Sequence, residues 1–148
     1  MQTSRNQKTL GRLNFFITAA VLALLILYSF AGGGSATGTL TVGQDSLRLS
    51  AGQLPVIELA YTDIRSLQLT DTLDLSDFLE QQTEGDTTVG QWHSDALGDF
   101  TGFFHSGVTR YILVRTAGGL VAFNYSSDSA TEGFYTAFAE LLQQKGIL

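Results

Sequence analysis

His93 and His105 are the two imidazoles of the chain, and Asp95 and Asp99 stand close to the first of them. Imidazole with carboxylate is a common donor set for a transition metal, but nothing at helical spacing joins these four residues, and His105 beside Ser106-Gly107 reads as a turn histidine. A second concentration of charge runs through Asp71, Asp74, Asp77, Glu80, Glu84 and Asp86, with no base between them. Calcium loops need oxygens at alternate residues around a sharp-turn glycine; this run lacks that pattern and reads as a solvated acidic segment. Serine and threonine are plentiful, yet the chain has no Gly-x-Ser-x-Gly elbow and no cysteine, so nucleophilic catalysis is without its parts. The glycines at 32–34 do not follow a strand and open a helix, so they make no phosphate cradle. The expectation is a protein that is not an enzyme, with no catalytic residue, no cofactor and no metal site.

Trp92, the single tryptophan, follows Gly90-Gln91 in the same acidic segment. An aromatic ring on an irregular segment is a candidate partner contact, and a plainer reading has it staple the segment to a sheet. Phe100, Phe103, Phe104, Tyr111, Phe123, Tyr125, Phe134, Tyr135 and Phe138 read mostly as core.

The elements that would position these residues show two periods. Leu40 and Val42, then Leu47 and Leu49 around Arg48, then Val56-Ile57 with Leu59, then Leu67 and Leu69 alternate with polar neighbours and are parted by Gly43-Gln44-Asp45-Ser46 and Ser50-Ala51-Gly52; period two with turn punctuation predicts short strands. Residues 71–99 lose that alternation and read as irregular, with a turn or two of helix where Leu75, Phe78 and Leu79 have helical spacing. Strands resume at Phe100-Thr101-Gly102-Phe103-Phe104, and Tyr111–Arg115 with Leu120–Tyr125 form a hairpin through Ala117-Gly118-Gly119, where glycine tolerates the positive φ of a tight turn. Last, Ser127, Asp128 or Ser129 caps a helix whose Phe134, Phe138, Leu141 and Leu142 share one face, and Lys145-Gly146 ends it.

Ahead of all this lies an uncharged run of eighteen residues from Leu13 to Phe30. As a helix it would reach about 27 Å, near the thickness of a bilayer's hydrocarbon core. Arg5, Lys8 and Arg12 precede it and the next charge is Asp45, which places the N-terminus in the cytoplasm and the rest outside. A cleaved signal peptide is the alternative, with small residues at Ser29 and Ala31 or Gly34 and Ala36. Residues 1–12 are thus a cytoplasmic tail, 13–31 a transmembrane helix, 32–38 a glycine-rich linker, and 39–148 one exported domain of a size for one core. All fourteen acidic residues and five of the eight basic ones lie beyond residue 37, so that part carries −9 and the tail +3. Such a surface repels nucleic acid and anionic lipid. Without cysteine there is neither a disulfide nor a lipid-modified cysteine anchor.

Tyr61-Thr62-Asp63-Ile64-Arg65-Ser66-Leu67, Gly98-Asp99-Phe100-Thr101-Gly102-Phe103-Phe104, and Arg110-Tyr111-Ile112-Leu113-Val114-Arg115-Thr116 running into Val121-Ala122-Phe123-Asn124 resemble the bacterial pleckstrin-homology-like (PH-like) domains over roughly 39–144. The resemblance implies a mainly β fold, an antiparallel bent sheet or barrel of about seven strands capped by the C-terminal amphipathic helix, often fused to a membrane helix. It transfers no functional residue. Eukaryotic pleckstrin domains hold inositol phosphates with lysines and arginines of the first hairpin, which here offers only Arg48, so a phosphoinositide is not expected. The function expected is a single-pass, membrane-anchored binding module on the outer side of the cytoplasmic membrane, engaging an envelope protein or itself. The alternative is an exported small barrel, a carrier or enzyme for a small apolar or cationic ligand, which would need a cavity.

Overall fold

The computed structural model describes residues 38–148. The tail, the transmembrane helix and nearly all of the linker expected over residues 1–37 lie outside the described residues. What is described is mainly β: two sheets and one C-terminal helix. Among the described residues no helix is long and apolar enough to cross a membrane.

Strands β1 (Gly38–Val42), β2 (Ser46–Ala51) and β3 (Ile57–Ala60) form an antiparallel meander. Leu40, Leu47, Leu49 and Leu59 point inward and Thr39, Thr41, Arg48 and Glu58 outward, the alternation that a sheet with one wet face requires. The domain begins one residue earlier than the sequence suggests. Gly38, expected to close the linker, already pairs with Ala51, and a Cβ there would stand 2.7 Å from His105 Nε2 and 2.8 Å from Thr87 Oγ1. Packing, rather than linker flexibility, keeps that position a glycine.

A 3-10 turn at Tyr61–Asp63 leads into β4 (Ile64–Thr70), followed by β5 (Asp77–Glu84), β6 (Thr87–Ser94), β7 (Gly98–His105), β8 (Tyr111–Thr116) and β9 (Gly119–Phe123). Together β4 to β9 make a six-stranded sheet in the order β4-β8-β9-β7-β6-β5. Two expectations are corrected here. Among the described residues nine strands form, not about seven, because the segment 71–99 supplies β5 and β6 where an irregular stretch with a helical turn was expected. The succession is also not wholly antiparallel, since β9, having folded back on β8 as the expected hairpin, takes β7 along its other edge in parallel.

The middle of the larger sheet is covered on both faces, which is why β8 and β9 read as continuous apolar runs. Ile112, Val114, Val121, Phe123 and Phe103 enter the main core with the β1–β3 leucines. Leu113, Leu120, Ala122, Phe100, Phe104 and Trp92 enter a second cluster on the opposite face, covered by Leu73, Leu75 and Leu97. The helix α1 (Asp128–Gln144) closes the main core with Phe134, Phe138, Leu141 and Leu142, all buried.

Both ends of α1 are capped as the sequence predicts. Ser127 Oγ accepts from the Ala130 N–H at 3.0 Å, one of the donors a helix start leaves unpaired. At the other end Gly146 takes φ 70°, its N–H reaching Gln143 O and that of Ile147 reaching Leu142 O, a Schellman closure. Asp128 also ties α1 to the loop before β8, accepting from the Thr109 N–H and hydroxyl and the Arg110 N–H at 2.7 to 2.9 Å. Those hydrogen bonds hold its carboxyl below the usual range.

Candidate interaction edge

The residues whose types suggested chemistry fall into two separate places. His93 and Asp99 face each other across the β6–β7 ladder, His105 and Thr87 at its other end, so the two histidines do not meet. His105 is not on an exposed turn: it ends β7, is 3% exposed, and lies edge-on to Phe103 and Tyr125. Its backbone N–H donates to the buried Asn124 Oδ1 at 2.6 Å, which places β7 against the chain leaving β9. The role that fits this setting is core packing.

His93 is brought to the carboxylates that the sequence placed near it. Its Nδ1 donates to Asp99 Oδ1 at 2.6 Å, Asp95 lies 3.9 Å from Nε2, and Asp77 of β5 is its cross-strand partner. An ionised carboxylate can only accept, so the short contact fixes the proton on Nδ1. Among the described residues, no group of three or more histidine or acidic side chains is arranged to hold a metal ion. The effect of the cluster is on the imidazole: the hydrogen bond to Asp99 raises its pKa above the ordinary 6.5, desolvation opposes it in part, and the fields of Asp99, Asp77 and Asp95 add to the rise. Because the folded value is the raised one, the cluster favours the fold below the unfolded pKa of about 6.5, and that contribution fades as pH rises through the folded value. Titrating the His93 ring by NMR should give a midpoint above 6.5 in the native chain, moved back toward it in Asp99→Asn; an Asp99→Asn midpoint equal to that of the native chain would remove Asp99 as the cause.

Trp92 is also relocated. It stands on β6, 3% exposed, stacked on Phe100 at 6.3 Å and edge-on to Phe104 at 5.0 Å. Room for the ring comes from Gly102, where a Cβ would lie 2.5 Å from Trp92 Cζ3 and 2.4 Å from the Phe104 ring. The expected loop position is therefore corrected: Trp92 lies within the sheet itself and packs in the second cluster.

The exposed apolar surface lies on the strand beside it. Among the described residues β5 pairs with β6 alone, and it is exposed along nearly all its length. A bulge falls between Phe78 and Glu80, and Phe78 and Leu79 on it are 54% and 61% exposed. Phe78 is the cross-strand partner of Trp92, while Asp77 faces His93, so along this edge an apolar side chain and a carboxylate follow one another on alternate faces of the strand. The sequence reading missed these two residues by assigning them to a helical turn. The signal that finds them is Gly85-Asp86, two turn-forming residues joining Glu84 to Thr87, a hairpin punctuation. Two clefts, of about 250 and 360 Å³, open beside Leu75 and Leu73 where that segment crosses the sheet. The remaining acidic residues of the run, Asp71 and Asp74, are exposed there.

No family profile, no curated protein and no solved structure matches the chain.

Proposed function

We propose that the chain is a membrane-anchored interaction module: a PH-like domain held on the outer side of the cytoplasmic membrane by a helix over 13–31, binding a protein partner and catalysing no reaction. The observation that carries this reading is Phe78 and Leu79, two large apolar side chains more than half exposed on an edge strand, where apolar surface at an unpaired edge marks a place for another chain. The sheets capped by α1 are consistent with the PH-like resemblance, and the uncharged run behind three basic residues supports the anchor. A phosphoinositide is a poor fit, because Arg48 in the first hairpin lies across the ladder from Glu58 and that surface has no net positive charge.

Topology is tested by adding protease to intact cells or spheroplasts. The domain after Ala36 should be digested; protection until the membrane is broken would reverse the orientation. N-terminal sequencing of the mature protein tests the anchor, since a start near residue 32 or 37 would make it a cleaved signal. For the function itself, purification from detergent-solubilised membranes should bring down a protein partner, and a chain that migrates alone overturns the reading.

A further inference from the structure

Among the described residues strand β5 has a hydrogen-bonded neighbour on one side only, and the outer side of an edge strand presents N–H and C=O groups on which a further strand can grow. Its far end is held in place, because Glu84 Oε2 accepts from the Gln53 N–H at 2.8 Å, tying the strand to the turn after β2. An edge fixed in advance loses little conformational freedom when a strand docks on it. The side chains on that edge restrict what can dock. Asp77 and Glu80 flank Phe78 and Leu79, and from Asp71 to Asp99 there is no lysine or arginine.

A second copy is disfavoured by this pattern. Pairing β5 with another β5 would set the carboxylates of one strand against those of the other, and like charges across a ladder are destabilising. The bulge works the same way, since it breaks the flat register that self-pairing needs. The same acidic side chains attract a strand of opposite charge, and the −9 carried beyond residue 37 would speed its encounter.

Resting on the interaction-module reading, we propose that the outer edge of β5 accepts an extended basic segment of a partner protein as a seventh strand of the sheet. Its lysine or arginine side chains meet Asp77 and Glu80, and an apolar residue between them covers Phe78 and Leu79. Main-chain hydrogen bonds supply attachment and the charges supply selection.

The test uses the full chain and an acetylated octapeptide alternating lysine with valine. Its control has the same side chains but an N-methyl group on every amide. Titration should shift amide resonances of β5 and the facing part of β6, weaken as salt is raised, and vanish with the N-methylated peptide. Leu79→Lys, a change at an exposed position, should leave the rest of the spectrum in place and weaken binding by roughly tenfold or more, the scale of losing one apolar anchor. Equal binding of the N-methylated peptide would mean charge attraction without strand addition and overturn the proposal, as would shifts confined to other strands. A photo-crosslinking residue placed in cells at position 79 or at exposed Gln144 separates the two levels of the argument. A second copy captured at 79, or a partner captured at 144 and not at 79, overturns the basic-strand edge while the module stands. Capture at neither position, with no co-purifying partner, overturns both.

Discussion

Replacing Phe138 with alanine should cost the domain about 3–5 kcal/mol and lower its melting temperature by roughly 10–20 °C. The side chain is fully buried in the middle of the α1 face, its ring 5.5 Å from that of Phe134 and 5.8 Å from that of Tyr61. Those neighbours belong to α1 itself and to the turn before β4, so the cavity left behind has walls from different elements and cannot close by one small shift. Total stabilities of such domains are about 5–15 kcal/mol, and the loss is a large part of that. Thermal unfolding of a fragment starting near Thr37 measures it. A midpoint within about two degrees of the parent would mean that α1 does not cap the sheets, and would take away the main physical support for the PH-like reading.

Trp92→Ala is expected to be as severe, about 3–5 kcal/mol, and in the same fragment with no partner present. The ring joins Phe100 and Phe104 on the second face of the large sheet and fills the space over Gly102. Phe78 is its cross-strand partner, so the loss should be felt first in β5: hydrogen exchange of the β5 and β6 amides should quicken more than that of β8 and β9. If Trp92 served only as a partner contact, the isolated fragment would melt unchanged, because surface substitutions usually shift stability by no more than about half a kcal/mol.

The parts of the fold that were legible in the sequence are those where burial writes a period. Phe134, Phe138, Leu141 and Leu142 face one core from a helix with a wet back, and the spacing follows from that geometry. Leu40, Leu47, Leu49 and Leu59 do the same for strands with one wet face. The β8–β9 hairpin was legible for a different reason, since two apolar runs around glycines leave few other choices. β5 was not, because a strand exposed on both faces has no period to show. Leu75, Phe78 and Leu79 then matched a helical spacing by coincidence, although only Leu75 packs on a core. In β6 the inward positions include Thr87 and Ser94, polar residues that erase the alternation around Val89 and Trp92. The parallel pairing of β7 with β9 leaves no local trace, since strand partners are chosen by the assembled sheet. Of the candidate site, the approach of Asp99 to His93 was legible as nearness in sequence; the exposure of Phe78 and Leu79 needed the strand to be recognised first.

The position of α1 after every strand sets the order in which the molecule can finish folding. Leu40, Leu47 and Leu49 are made first and Leu141 and Leu142 last, yet all five are buried in one core. Near its end Lys145 Nζ donates to Gln44 O at 2.8 Å and lies over the Tyr61 ring, a contact spanning 101 residues. During synthesis the strands therefore emerge with their apolar faces uncovered and stay so until α1 leaves the ribosome. Contacts this distant along the chain form slowly, and an open sheet edge in the meantime invites wrong pairing. A ribosome stalled before Phe134 would hold a chain with the nine described strands synthesised and no stable fold, a sheet awaiting its lid and a substrate for chaperones.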